Sequence, residues 1–297
     1  MRSQSGRLNR RRQRSCHSRD RTRVWTVKKL ILLAALSVLS ACNPEPEGQP
    51  VLRTEIGSGV AEEAEIAAAV RASACKTITF EGEKFTDCIA DPAKHTITTA
   101  LGPKGKEPYR SLANLAGGRG SDAPLIAFAV NGGMFDKAGK PIGYYVENGS
   151  RTKELSRTDG PGNFHLKPNG VFFGSRGKWD IRTSDDFYSN VGDRPNFGTQ
   201  SGPMLVIDGK IHPEITENGP SKAVRNGVGV DAEGRAHFVI SAGPISFGVL
   251  ARLYRDQLKT PDALFLDGNV SALWDPASDR LDMGAPLGPM IVVEMKE

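Results

Sequence analysis

From residue 75 onward the chain is a succession of short apolar and β-branched runs, each four to seven residues long and separated by polar, glycine-rich text. The runs are Cys75–Phe80, Lys84–Ala90, His95–Leu101, Leu125–Val130, Gly143–Glu147, Gly170–Phe173, Met204–Ile207, Gly227–Val230, Ala236–Ser241, Ala263–Leu266 and Met290–Glu294. Turn dipeptides punctuate them, among them Glu81-Gly82, Asn148-Gly149, Asp208-Gly209 and Glu233-Gly234. A helical period is clear only over Ser246–Leu258, where Ser246 supplies a cap and Phe247, Leu250, Tyr254 and Leu258 fall on one face. A shorter helix is expected over Tyr109–Ala116, and the Ala-rich stretch 57–72 reads as a helix or a loose leader. The pattern predicts an α+β fold: one β-rich domain over residues 75–297, with a mixed sheet and a few helices and no internal repeat.

Composition changes the picture at the N-terminus. The chain carries a formal net charge of +5, yet residues 1–29 hold nine Arg and two Lys against the single acid Asp20, a balance of +10. Leu30–Ala41 is uncharged, so the part from Cys42 onward stands at −5. Nucleic-acid binding thereby loses its support, because phosphate neutralisation needs Lys and Arg on the folded surface. Lys28-Lys29 precedes the apolar run Leu30–Ala41, too short to span a membrane but suited to a signal h-region. The run closes as Leu39-Ser40-Ala41-Cys42, which resembles the lipobox of bacterial lipoproteins. Residues 1–41 are accordingly expected to be a signal peptide, with 1–26 a start-site artefact, and Cys42 the lipid-bearing first residue of the mature protein. Residues 42–74 then form a tether and the possible helix. The expected location is the periplasmic face of an envelope membrane. Asn43, rather than Asp, after Cys42 points to the outer one.

Cysteine usage fits export. With Cys16 in the leader and Cys42 acylated, Cys75 and Cys88 remain, flanking Glu81-Gly82. A two-residue hairpin turn at that point sets 75 directly opposite 88, which predicts a cross-strand disulfide. The five His are scattered, and no zinc-ligand spacing, phosphate-loop motif or nucleophile elbow occurs, so no metal or cofactor is expected.

Four polar segments border apolar strands. Asn131-Gly132-Gly133-Met134-Phe135-Asp136 follows one, with the glycines expected to permit positive φ and close approach of a ligand. Gln200-Ser201-Gly202-Pro203 precedes a second, Arg225-Asn226 opens a third, and Asp267-Gly268-Asn269-Val270-Ser271 closes a fourth. Together they gather amides, hydroxyls, a guanidinium and a carboxylate at strand ends, a set suited to a sugar and its phosphate.

In this order, with Pro168-Asn169-Gly170-Val171-Phe172 between the first two, the segments resemble the phosphodiester glycosidase family over roughly residues 75–294. The resemblance implies a shared fold and a carbohydrate–phosphodiester site, with Asn131, Arg225, Asp267 and Ser271 at the family's motif positions. Asn269 stands where that loop often carries Gly, so the pocket is reshaped or the activity lost. A glycosyl phosphodiester has a weakly basic leaving group, so one carboxylate and a cation suffice for its hydrolysis. Arg225 is assigned to the phosphate and Asp267 to the nucleophile or base role. Asn131, Gly132, Gly133, Gln200, Ser201, Asn226, Asn269 and Ser271 are assigned to substrate binding. Glu147, Asp136, Asp231 and His165 are further acid–base candidates. Two readings stay open: a hydrolase of sugar-1-phosphate diesters in envelope glycan or exopolysaccharide metabolism, and a glycan-binding lipoprotein that uses the same pocket without turnover.

Overall fold

A computed structural model describes residues 72–296. The expectations for the signal peptide, for Cys42 and for most of the tether fall outside these residues. The seventeen strands, β1 (Cys75–Phe80), β2 (Glu83–Ala90), β3 (His95–Ala100), β4 (Ile126–Asn131), β5 (Tyr145–Glu147), β6 (Ser150–Lys153), β7 (Gly170–Ser175), β8 (Lys178–Thr183), β9 (Phe197–Ser201), β10 (Met204–Ile207), β11 (Lys210–Ile211), β12 (Asn226–Val230), β13 (Ala236–Ser241), β14 (Asp262–Phe265), β15 (Leu273–Asp275), β16 (Arg280–Leu281) and β17 (Met290–Met295), form three sheets. The first runs β1-β2-β13-β12-β14-β10-β11, the second β16-β15-β4-β17-β3 and the third β6-β5-β9-β7-β8. The fold is α+β with strands in the majority. Every pairing is antiparallel rather than mixed, because two-residue hairpins and irregular loops join the strands where a parallel neighbour would need a crossover.

Strand sequences explain the layering. Phe128, Val130, Phe172, Phe238, Leu264, Ile291 and Val293 point to a central core that the three sheets share. The alternate residues face outward and are covered as well. Val239, Ala263 and Phe265 lie under α3 (Phe247–Arg252), Ala129, Met290 and Val292 under α1 (Leu112–Gly117), and Val171 under α2 (Ser184–Asn190). Burial on both faces is why these strands read as continuous apolar runs rather than alternating ones. The expected helix over Ser246–Leu258 is present, capped by the Ser246 hydroxyl on Val249 N, but it widens into a π-turn over Leu253–Gln257. Leu250 and Tyr254 are fully buried on its inner face.

Glu81 and Gly82 both take positive φ (50° and 81°), the geometry of a type I′ hairpin turn. Cys75 consequently pairs with Cys88 in register, and the two form a disulfide. Asn148-Gly149 and Asp208-Gly209 adopt the same turn, and so does Arg176-Gly177 between β7 and β8, which sequence reading passed over.

Candidate functional site

The first, second and third sheets converge where β4, β9, β12 and β14 end. The Asn131 amide, 1% exposed, links three of those ends: its Nδ2 donates to the Asp267 carbonyl (2.9 Å), and its Oδ1 accepts from Asn226 Nδ2 (2.7 Å) and Ala272 N (3.0 Å). Asn226 Oδ1 in turn accepts from the Ser271 hydroxyl at 3.3 Å, and that hydroxyl also reaches the Gly268 carbonyl. Three of the four expected segments thus meet through a chain of side-chain amides, with most of its hydrogen-bonding capacity spent inside the protein. Asn131, Asn226 and Ser271 therefore shape and hold the Asp267–Ser271 loop.

Gly132 and Gly133 work differently from expectation. Neither lies in the positive-φ region; they are glycine because of space. A Cβ on Gly133 would stand 2.2 Å from the Gln200 carbonyl oxygen and 2.6 Å from Thr199 Oγ1, which itself accepts from Gly133 N. A Cβ on Gly132 would press on the Pro289 carbonyl. The segment is pinned to β9 rather than left open for a ligand.

Gln200 also has a different part from the one expected. Its Oε1 accepts from Tyr144 N and Ser156 N, both at 2.9 Å, and its Nε2 donates to the Ser156 carbonyl and to Ser184 Oγ. All of its polar positions are committed to holding the 144–156 segment and the start of α2. Ser201, two residues along from Thr199 on the same face of β9, is fully buried, and its hydroxyl has no partner among the described residues.

Register sets the Arg225 and Asp267 backbones opposite each other beyond the paired ends of β12 and β14, while their side-chain charges do not pair. Gly227 sits opposite Phe265, and Leu266 N donates to the Asn226 carbonyl, so continuing the ladder places Arg225 across from Asp267 on one face of the first sheet. Arg225 is 3% exposed. Its guanidinium stacks 3.6 Å from the centre of the Phe247 ring, with Nε on the Ile245 carbonyl and Nη2 on the Ser221 carbonyl and hydroxyl. No carboxylate among the described residues pairs with it, and its Nη1 makes no hydrogen bond. Burial pulls its pKa down, as expected for a cation lacking a counter-ion. Asp267 is its complement: burial raises the carboxyl pKa, and one short-loop hydrogen bond, from Asn269 N to Oδ1 at 3.3 Å, opposes the rise. Its Oδ2 accepts no hydrogen bond from the described residues.

Beside the loop lies a cavity of about 510 Å³, walled by Asn114, Val224, Asn269, Ser271, Asp282 and Met283 among others. Asn269 is exposed at its rim and its side chain makes no hydrogen bond, so the bulk added at this position changes the cavity mouth.

The remaining acid–base candidates lie elsewhere. Asp136 caps a hairpin tip through Lys140 N, and His165 rests on the Thr158 carbonyl. Glu147 binds the Tyr145 hydroxyl and Leu101 N, with its pKa raised by burial. Asp231 pairs with Arg235 and His237. Sequence reading missed Arg110, another guanidinium without a carboxylate partner among the described residues. It has φ 62°, packs over the Phe135 ring and against Gly139, and keeps Nη1 buried without an acceptor. No residue pattern around Arg110 announces this, because the contact is made by a loop closing from another part of the chain.

Comparison with known proteins gives the family and the fold. The profile of the phosphodiester glycosidase family matches residues 126–293, which include all four polar segments. An uncharacterized Escherichia coli (strain K12) protein, YigE, is 35% identical over 171 residues, 58% of this chain and 66% of that protein, so the match spans just under two thirds of the relative's length. The catalytic domain of zebrafish N-acetylglucosamine-1-phosphodiester alpha-N-acetylglucosaminidase, solved in a form auto-inhibited by its pro-peptide, superimposes with a TM-score of 0.51 at 15% identity. The overlap covers 75% of this chain and 82% of that one, a likeness of fold. A hypothetical protein from Synechocystis aligns over 75% of this chain and 61% of its own at 15% identity, with a TM-score of 0.46.

Proposed function

The chain belongs to the phosphodiester glycosidase family, and from that premise we propose that it hydrolyses a glycosyl phosphodiester, cleaving the bond between the anomeric carbon and the phosphate oxygen. The observation that carries this reading is the buried Arg225 guanidinium, which has no carboxylate partner among the described residues and lies at the strand end where the half-buried Asp267 also sits. A desolvated cation without a counter-ion is costly unless an anion arrives to complete it, and a phosphate does so with charge-assisted hydrogen bonds.

The chemistry follows from these two side chains. As the bond breaks, positive charge grows at the anomeric carbon and its electron pair leaves with the phosphate oxygen. Arg225 stabilises the departing phosphate monoester, which needs no proton from a general acid. Asp267 meets the carbon side, either as nucleophile or as the base that takes a proton from the attacking water. The raised pKa of this carboxyl brings it closer to neutrality, where a base and its conjugate acid are both useful. A zebrafish relative of the same fold is named for removing N-acetylglucosamine from a phosphodiester, which supports the substrate class.

The test follows free sugar released from a synthetic sugar-1-phosphodiester, with affinity measured separately by calorimetry. Asp267→Asn should lower turnover by about a thousandfold or more and leave affinity nearly unchanged, whereas Arg225→Ala should weaken both together. Full activity in Asp267→Asn sinks the site assignment. A wild-type protein that binds such diesters without ever releasing sugar replaces the hydrolase with the glycan-binding reading.

The setting of this activity is the bacterial envelope on our reading, with the mature protein anchored through a lipid on Cys42. The Leu39–Cys42 lipobox after a short apolar run supports it. Intact mass of the membrane-extracted protein should show acyl chains on Cys42; a soluble product with an uncleaved leader rules the anchor out.

A further inference from the structure

Away from the Arg225–Asp267 site, the second and third sheets meet along a seam. There β3, an edge strand, faces the β7–β8 hairpin and the Asn148 turn across a cavity of about 490 Å³. We propose that this cavity is a second carbohydrate site, which holds an oligosaccharide carrying an acidic sugar.

The lining decides the ligand class. Asn148, Asn196, Thr96 and Thr98 contribute amides and hydroxyls, and none of these side chains makes a hydrogen bond within the described residues. Amides and hydroxyls both donate and accept, as sugar hydroxyls do, whereas a bare phosphate would call for donors only. An apolar ligand would leave every one of them unpaired. Trp179, 8% exposed, is among the lining residues, and its buried Nε1–H has no acceptor among the described residues. Aromatic rings with flanking polar groups suit the apolar faces and polar rims of pyranoses. Arg176 is the single charged residue in the lining and forms no ion pair among the described residues, which selects a carboxylate-bearing sugar over a neutral one. Arg176 is the left-handed first residue of the β7–β8 turn (φ 52°), so its backbone is fixed while its side chain extends freely.

This inference does not depend on the hydrolase reading, because either an enzyme or a binding protein could use a second hold on a long glycan. The experiment is an NMR titration that follows the Trp179 indole N–H resonance, with Trp274 on β15 as an internal control. The probes are a hyaluronan hexasaccharide and a galacturonate hexamer, each beside its carboxyl-reduced form. At least one acidic probe should shift the Trp179 resonance saturably at millimolar concentration or below. Its carboxyl-reduced form and the double variant Arg176→Asn/Asn196→Ala should each bind about tenfold or more weakly. Both substitutions spare the turn, since Asn accepts left-handed φ and the Asn196 side chain has no internal bond to lose. Sugar release from the small diester should be unchanged in the double variant, and binding at the seam should survive Asp267→Asn. The proposal is overturned if neither acidic probe moves Trp179, or if the double variant binds as tightly as the wild type. Equal binding of the reduced probe overturns the acidic assignment.

Discussion

Strand β12 runs between two buried polar regions that treat charge in opposite ways. At its far end His237, on the neighbouring strand β13, sits between two carboxylates. Its Nδ1 lies 3.1 Å from Asp87 and its Nε2 3.2 Å from Asp231, while Asp231 is bridged by Arg235 at 2.6 Å. Asp87 is wholly buried and Lys76 approaches it at 4.0 Å. Every charge there has a partner. At the near end, Arg225 is buried without a carboxylate and Asp267 is half-buried without a cation among the described residues. A paired cluster fixes structure, and an unpaired cation at the same strand end as an unpaired carboxylate marks a place prepared for a ligand that brings the missing charge and takes the attack.

The contrast can be broken first at the paired end. His237→Leu puts an apolar side chain on β13 and leaves Asp87 buried without its imidazole partner, and should cost about 3–5 kcal/mol in denaturant unfolding. A loss below about 1 kcal/mol would mean that the cluster is not a stability element. The pH dependence has a definite sign. Burial by itself lowers the His237 pKa, but the hydrogen bonds and charges of Asp87 and Asp231 outweigh it, and the net shift is upward. The stability His237 contributes is therefore complete below its unfolded pKa of about 6.5 and declines as pH rises through the higher folded value. For Asp231, burial raises the pKa but Arg235 and His237 bring it below the usual carboxylate value. Its contribution is present above about pH 4 and fades as pH falls through the lowered pKa. His237→Leu should flatten the alkaline limb of the stability profile.

A smaller effect is expected from the Cys75–Cys88 disulfide, which staples β1 to β2, the strand that carries Asp87. Cys75→Ala with Cys88→Ala should cost about 3 kcal/mol, the value for a closed loop of this size. Hydrogen exchange should then loosen β1 and β2 before the β12–β14 end. Uniform loosening would show that the two regions unfold as one.

The smallest effect on stability is expected at the unpaired end. Arg225→Met exchanges a desolvated cation for an apolar chain and should change stability by no more than about 1.5 kcal/mol while abolishing phosphodiester binding. Asp267→Asn should stabilise slightly at neutral pH, since a carboxyl whose pKa is raised on folding destabilises the native state as it ionises. If either substitution costs as much as His237→Leu, Arg225 and Asp267 belong to the scaffold and the contrast collapses.

Much of the fold was legible because its causes are local. Glu81-Gly82, Asn148-Gly149 and Asp208-Gly209 are turn dipeptides whose geometry fixes strand register, and the apolar runs Met204–Ile207 and Ala236–Ser241 became β10 and β13 with the same bounds. The polar strand β9 (Phe197–Ser201) was missed, although all five residues are buried. Thr199 and Gln200 earn that burial through partners far away in the chain, Gly133, Tyr144, Ser156 and Ser184. Strand β8, Lys178–Thr183, escaped because an edge strand carries too many polar residues to form an apolar run.

The sequence by itself determined which residue types gather at strand ends, the Cys75–Cys88 register and the place of Ser246 as a helix cap, since each depends on spacing within one short stretch. Only the tertiary structure decided what those residues do. Gln200 proved to be an internal clasp, Gly133 a contact too close for any side chain, and Arg225 a cation opposite Asp267 without a partner. The physical reason is that a polar group's role depends on whether its hydrogen bonds and charge are already satisfied, and the groups that satisfy them arrive from strands dozens of residues away.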